Sequence, residues 1–218
     1  MDFSFNEKEA AFKAEVDDFL RTELPADWPR RSMHWPGGYG TLETEDAEMV
    51  RIAGEFKRKV ARKGWLTISW PAEYGGEAHS YMEQAIFDER ISYYRAPAMG
   101  IATGIAAPTI LRFGSEENKA DWIPQIASGE IEMWLGYSEP NAGSDLASLE
   151  TTALREGDEY VINGQKVWST VAHLADYAWL VARTDPDGHR HRSVSLFVVD
   201  NNSPGVIIRP LTNILGIH

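Results

Sequence analysis

The hydrophobic pattern changes abruptly near residue 130, and this change constrains the fold more than any other feature of the chain. Before it, apolar residues recur at helical spacing behind N-capping signals such as Ser80 with Glu83. After it, short apolar runs alternate with turn residues, as in β-strands. We therefore predict an α+β protein in which an all-α helical domain, residues 1–130, precedes an antiparallel β-barrel or sheet domain, residues 131–218.

Local signals define the expected elements of both domains. Ser4 with Glu7 predicts a capping box for the first helix, and Ser115 predicts the start of the last one. The expected strands are Met133–Tyr137, Thr151–Arg155, Tyr160–Ile162, Gln165–Ser169, Tyr177–Arg183, Val194–Val199 and Val206–Arg209.

A polar loop at residues 138–145 directly follows the first of these strands. Within it, Pro140 fixes one φ angle and lacks an N–H, whereas Gly143 permits a left-handed backbone and a close approach. Two serines and an aspartate add short side chains that bond locally. A loop of this kind can direct backbone N–H groups and hydroxyls at an anion such as a pyrophosphate.

Two short apolar runs joined by Asn163-Gly164 come about a dozen residues later. Asn-Gly between such runs is typical of a two-residue β-hairpin turn, because both central residues of a type I′ turn need positive φ. The second strand of this hairpin would present Trp168, Ser169 and Thr170 at its end. An indole beside hydroxyls suits a planar heterocycle with a polar edge.

Composition and missing motifs exclude several functions. The chain has 21 Lys and Arg against 33 Asp and Glu, a net charge of −12 that disfavours nucleic-acid binding and adhesion to anionic lipid. It has no cysteine, which excludes disulfides and thiolate chemistry. No hydrolase elbow or Walker loop occurs, and His189 and His191 lack further metal ligands nearby. The most apolar stretch, Ala96–Leu111, is too short to span a membrane. Since Met1 leads directly into an acidic amphipathic pattern, we expect a cytoplasmic protein.

The loop and the predicted hairpin together resemble the paired FAD-binding segments of the acyl-CoA dehydrogenases. The segments are Tyr-Ser-Glu-Pro-Asn-Ala-Gly-Ser-Asp at 137–145 and Asn-Gly-Gln-Lys-Val-Trp-Ser-Thr at 163–170, in the family's order and at a family-like separation. The resemblance extends upstream to residues 71–76 and 113–119. Position 138 is serine where the family often has threonine, which retains the hydroxyl. The resemblance implies the family's helical N-terminal domain and middle β-domain.

The same resemblance implies FAD as the cofactor and assigns its contacts. The flavin and its pyrophosphate would contact the loop, and Trp168 and Thr170 would flank the isoalloxazine, with the Thr170 hydroxyl near its reactive nitrogen. Ser144 would also contact the acyl-CoA substrate. The expected cofactor-binding residues are Leu135, Tyr137, Ser138, Gly143, Ser144, Trp168, Ser169 and Thr170.

The implied activity is oxidation of an acyl-CoA thioester to the trans-2-enoyl-CoA in fatty acid β-oxidation, with electrons passing to an electron-transfer flavoprotein. The reaction needs a base for the Cα proton, while FAD accepts the hydride from Cβ. In the family, a C-terminal helical domain supplies that base and the oligomer interface, and it would follow His218. We therefore assign no catalytic residue to this chain and expect its β-domain to be incomplete. A homo-oligomer or hetero-oligomer is expected when the C-terminal domain is present.

Two alternatives fit the same motifs. One is a non-catalytic or split-enzyme subunit that binds flavin and acyl-CoA, and the other is an acyl-CoA oxidase, in which the reduced flavin reacts with oxygen. The cluster His189-Arg190-His191-Arg192 also has two interpretations. It binds the phosphates of CoA, or it is the solvated tip of a hairpin.

Overall fold

The structure is a computed structural model that describes residues 4–31, 47–77, 79–97, 99–185 and 187–212. The chain divides into two compact units, Met1–Glu130 and Ile131–His218. The first contains helices and the second a sheet, as the α+β prediction requires. Each unit has its own buried apolar core.

Every regular element among the described residues of the first unit is a helix. A π-helical turn, Ala102–Ala106, leads into the helix that begins at Ala107, and 3₁₀ turns at Trp65–Thr67 and Ala72–Tyr74 lie between the helix that ends at Arg62 and the one that begins at Tyr81. The helices are α1 Glu7–Glu23, α2 Trp28–Arg31, α3 Ala47–Arg62, α4 Tyr81–Tyr93, α5 Ala107–Phe113 and α6 Glu116–Ser128.

Two predicted caps are confirmed. The Ser80 hydroxyl accepts a hydrogen bond from Glu83 N at 3.2 Å, and the Glu83 carboxylate accepts one from Ser80 N at 2.8 Å. Ser115 and Asn118 form the equivalent box at the start of α6. Each box satisfies N–H groups that the helix itself leaves without partners, and so fixes where the helix begins.

The predicted cap of α1 is wrong by two residues. Asn6, not Ser4, is the N-cap, and its side chain accepts from Glu9 N while Glu9 binds Asn6 N. Asparagine caps a helix as well as serine does, and Asn-x-x-Glu has the same spacing as Ser-x-x-Glu. The sequence therefore contains two overlapping boxes, and the second one forms.

Aromatic residues fill the core of the helical unit. Trp28, Phe56 and Phe87 are almost fully buried there. A buried ion pair joins α1 to α4, where Arg90 Nε donates to Asp17 Oδ1 at 2.6 Å. Among the described residues, no helix is both long and apolar enough to cross a membrane.

The second unit contains one sheet. Five of the predicted strands are present, whereas the predicted strands Gln165–Ser169 and Val206–Arg209 are wrong. The observed strands are β1 Met133–Gly136, β2 Thr152–Glu156, β3 Glu159–Asn163, β4 Tyr177–Arg183 and β5 Val194–Asp200.

Strand β4 is the centre of this sheet. One edge of β4 pairs with β1 in parallel, beginning at Met133 opposite Tyr177, and then with β2 in parallel at Thr152 opposite Arg183. Its other edge pairs with β5 antiparallel along its full length, and β3 adds to β2 antiparallel. The predicted antiparallel barrel or sheet is therefore corrected: over the described residues the sheet is mixed and open.

The hairpin predicted at Asn163-Gly164 does not form, whereas the strands that flank Gly157 do pair as a hairpin. Strands β2 and β3 are joined through Gly157, which has a φ of +67°. Asn163-Gly164 ends β3 instead of turning it into another strand. Gly164 is needed there for a different reason, because a Cβ at this position would lie 2.2 Å from Thr151 Oγ1.

The two faces of β4 pack against different apolar clusters. Leu180 lies with Trp134 in one, and Val181 packs with Ala142 and Leu149 in the other. Ala142 and Leu149 both belong to the connection between β1 and β2. This connection is therefore held on one face of β4.

Candidate functional site

The two segments singled out in the sequence lie side by side. Val167 N donates a hydrogen bond to Ser138 O at 2.9 Å. Lys166 Nζ donates to Tyr137 O at 3.2 Å. The irregular segment that replaces the predicted strand thus runs along the beginning of the loop. The structure brings Tyr137 and Ser138 next to the residues that precede Trp168.

A tight turn shapes the loop after Ser138. Glu139 N donates to Ala142 O at 2.8 Å, and Ala142 N donates back to Glu139 O at 3.1 Å. Pro140 and Asn141 are exposed at the tip of this turn. The turn ends in a buried alanine, so the residues that follow start from a fixed position.

Gly143, Ser144 and Asp145 follow this turn and are exposed. Gly143 does not have positive φ, which corrects the expectation of a left-handed backbone there. A Cβ on Gly143 would meet no atom of the protein within 4 Å. Neither backbone geometry nor internal packing therefore requires glycine at this position, whereas a ligand lying against the loop would require it.

A buried ion pair joins the loop to the second segment. Lys166 Nζ lies 2.8 Å from Glu139 Oε1, and both side chains are only 5% exposed. The Glu139 carboxylate also accepts hydrogen bonds from Glu150 N at 2.6 Å and Thr151 N at 2.9 Å. One carboxylate therefore connects the beginning of the loop, the end of the loop and the Trp168 segment. Sequence analysis missed this pair, since its two members are separated by 27 positions.

The surroundings of Glu139 favour its ionised form. Burial raises the pKa of its carboxyl, but hydrogen bonds from Lys166, Thr151 and the Glu150 N–H outweigh burial and lower that pKa to about 2. For Lys166, burial is the largest effect and lowers the pKa, while Glu139 opposes this shift.

The Trp168 segment has a strained backbone. Trp168 and Val171 both have a φ of 59°, a left-handed conformation that is unfavourable for a bulky or β-branched residue. The Trp168 side chain is 74% exposed. Trp168 is therefore not part of the apolar core of this unit, because a core residue would be buried.

Ser169 and Thr170 complete this segment. Among the described residues, the buried Ser169 Oγ has no hydrogen-bond partner, whereas Thr170 is exposed. A buried hydroxyl without a partner is uncommon in native proteins. The exposed groups of the segment, the Trp168 indole and the Thr170 hydroxyl, fit a planar ligand with a polar edge.

The remaining predicted contacts lie on β1 and just after it. Leu135 is partly buried on that strand. Tyr137 is partly buried and packs against the apolar cluster around Val181. Burial raises the pKa of the Tyr137 phenol above its ordinary value, which already lies well above neutral pH.

The basic cluster at 189–192 lies in the β4–β5 connection and contacts the loop. Arg190 pairs with the Asp145 carboxylate and also donates to Ala147 O at 3.5 Å. The Arg190 side chain is 50% exposed. Arg190 thus lies beside Asp145, the residue after Ser144. Binding of the CoA phosphates and a solvated hairpin tip both stay predictions for this cluster.

Comparison with protein families places both units. A family model described as the acyl-CoA dehydrogenase N-terminal domain matches residues 6–130, and one described as the acyl-CoA dehydrogenase middle domain matches residues 135–218. FadE26 of Mycobacterium tuberculosis, an acyl-CoA dehydrogenase, is 34% identical over 99% of this chain and 53% of its own length.

Solved structures agree with this placement. The chain matches the Tcur3481-Tcur3483 steroid ACAD with a TM-score of 0.86 at 34% identity, over 99% of this chain and 53% of that one. It matches the ChsE4-ChsE5 complex from Mycobacterium tuberculosis with a TM-score of 0.84 at 34% identity, over 100% of this chain and 52% of that one. The chain thus spans about half the length of the relatives it matches. It belongs to the acyl-CoA dehydrogenase family.

Proposed function

We propose that the chain is the part of an acyl-CoA dehydrogenase that holds FAD and one side of the acyl-CoA substrate. The enzyme would oxidise the thioester to the trans-2-enoyl-CoA and pass the electrons to an electron-transfer flavoprotein. The observation that carries this proposal is the junction of the loop with the Trp168 segment. It places an exposed, strained tryptophan and the exposed Thr170 beside the residues that open the loop.

Each proposed contact has a distinct task. Trp168 would stack on the flavin ring, and the Thr170 hydroxyl would meet its polar edge, with Ser169 between them. The open backbone around Gly143 would approach the pyrophosphate, and Ser144 would contact the acyl-CoA. Leu135, Tyr137 and Ser138 complete the expected set. FAD, when bound, supplies the hydride acceptor, whereas these residues bind and orient.

The base that removes the Cα proton is proposed to come from outside these 218 residues. It would belong to a further domain of the same product or to a partner subunit. The ChsE4-ChsE5 structure is a complex of two differently named chains, which favours a hetero-oligomer. In either case we expect an oligomer, and we place the protein in the cytoplasm.

The acyl group is proposed to be large. The Tcur3481-Tcur3483 structure is described as a steroid ACAD and aligns over nearly the whole chain. We therefore propose that the substrate is a steroid-derived acyl-CoA and not a straight-chain fatty acyl-CoA. Turnover of both substrate classes by the same preparation tests this choice, and a clear preference for the straight-chain thioester would contradict it.

A purified sample tests the function itself. The protein, with any subunit that co-purifies, is reconstituted with FAD and then mixed with acyl-CoA under argon. We expect bound flavin whose visible absorbance bleaches on addition of the thioester. Bound flavin without bleaching supports the non-catalytic subunit, and hydrogen peroxide formed in air supports the oxidase. Failure to bind FAD in every assembly would contradict all three functions.

A further inference from the structure

The Lys166–Glu139 pair lies at the junction of the two site segments, although neither side chain can reach a ligand. We propose that Lys166 and Glu139 are positioning residues, which fix the Trp168 segment against the loop at the spacing that flavin binding requires. This inference rests on the proposed function. It assigns a role to two residues outside the expected set of cofactor contacts.

The contacts of Lys166 support this role. Its ammonium group donates to Tyr137 O at 3.2 Å and pairs with Glu139 Oε1 at 2.8 Å. Between these two contacts, Val167 N donates to Ser138 O at 2.9 Å. Lys166 and Val167 are thus joined to three consecutive residues of the first segment, Tyr137, Ser138 and Glu139. Trp168 is the next residue along the chain.

The contacts of Glu139 fix the pair from the other side. Its carboxylate accepts hydrogen bonds from Glu150 N at 2.6 Å and from Thr151 N at 2.9 Å, in the two residues that directly precede β2. Thr151 in turn lies against Gly164. A single charged group therefore holds both ends of the loop and the segment that presents Trp168.

Burial decides both the strength and the type of this role. With each side chain only 5% exposed, the ion pair is poorly screened by water, and removing one partner would leave the other charge buried alone. The same burial keeps both groups away from a bound flavin. They can act only through their neighbours, which makes them positioning residues and not catalytic ones.

Four variants separate positioning from folding: Lys166→Arg, Lys166→Met, Glu139→Gln and the double variant Glu139→Gln with Lys166→Met. The chain is purified with any co-purifying subunit. Titration of flavin fluorescence measures FAD affinity, the visible spectrum reports the flavin environment, and urea unfolding measures stability. Phe197→Ala is the control, since it removes a ring that packs against Tyr160 in the same unit, 5.1 Å away, and lowers stability without touching the pair.

We expect Lys166→Met to weaken FAD binding by about tenfold or more and to shift the flavin spectrum, because displacement of a preorganised segment by about 1 Å is costly. Lys166→Arg should restore much of the affinity. The double variant should recover stability, since no lone charge stays buried, but it should not recover affinity. Two results would refute the positioning role. In the first, Lys166→Met binds FAD as tightly as the unaltered chain. In the second, Lys166→Met and Phe197→Ala are equally destabilised and lose the same amount of FAD affinity. An unaltered chain that binds no FAD would overturn the proposed function together with this inference, so the two failures are distinguishable.

Discussion

Gly164 lies so close to Thr151 that a side chain at position 164 requires the backbone to move. An added Cβ would lie 2.2 Å from Thr151 Oγ1, 2.6 Å from its Cβ and 2.7 Å from its Cα. A hydroxyl can rotate away from such a clash, but a Cα cannot. Overpacking of this kind costs about 1–3 kcal/mol, and we expect Gly164→Ala to lie at the upper end of that range.

The displacement should also reach the candidate site. Thr151 N donates to the Glu139 carboxylate, so moving Thr151 disturbs the group that joins the loop to the Trp168 segment. We therefore expect Gly164→Ala to weaken FAD binding as well as the fold. A typical surface substitution would change stability by less than about 0.5 kcal/mol.

Urea unfolding followed by circular dichroism measures this effect, with Gly143→Ala as the matched control. A Cβ on Gly143 meets nothing within 4 Å, and its φ is not positive. The control should therefore keep its stability within about 0.5 kcal/mol and lose only FAD affinity. Equal unfolding midpoints for Gly164→Ala and the unaltered chain would refute the packing argument.

Three further predictions concern single side chains. Trp168→Ala should leave the unfolding free energy within about 0.5 kcal/mol, because the ring is 74% exposed, yet weaken FAD binding in a fluorescence titration; unchanged affinity would remove Trp168 from the site. The Glu139 carboxyl has a folded pKa of about 2, below its ordinary 4.5, so the stability it contributes is present above about pH 4.5 and is lost as the pH falls towards 2. That contribution is about 3 kcal/mol, and urea unfolding across this range should show a flatter profile for Glu139→Gln; parallel profiles would contradict it. Ser80→Ala should lower stability by about 1 kcal/mol by removing the N-cap of α4, and a thermal melt identical to that of the unaltered chain would argue against the cap.

Features set by residues close together in sequence were predicted well. The capping box at Ser80 needs only four consecutive residues, and it forms as expected. The predicted strand Tyr177–Arg183 coincides with β4, since its apolar run is bounded by turn residues on both sides. Such elements depend on local hydrogen bonding and on burial of a continuous run.

Features set by packing were not predicted. Asn163-Gly164 has the composition of a type I′ turn, but Gly164 does not have positive φ. Its missing side chain instead admits Thr151, a residue from the strand-side end of the loop. The parallel pairing of β1 with β4 is equally non-local. The residue pattern within one segment does not predict which distant segment of the chain packs against it.

The two family motifs nevertheless lie side by side in the structure, and their contacts explain why. The first motif contains Ser138 and Glu139, and the second contains Lys166 and Val167, so each motif includes one half of the contact that joins them. A chain that shares both motifs with the family therefore also shares the residues that join the two segments. This holds whether the second segment is a strand or irregular. The Trp168 segment is held against the loop not by a β-ladder but by the Val167–Ser138 backbone hydrogen bond and the contacts of Lys166 with Tyr137 O and Glu139. The proposal that the two segments form one flavin site therefore does not depend on the predicted hairpin. It does depend on the contact between the segments.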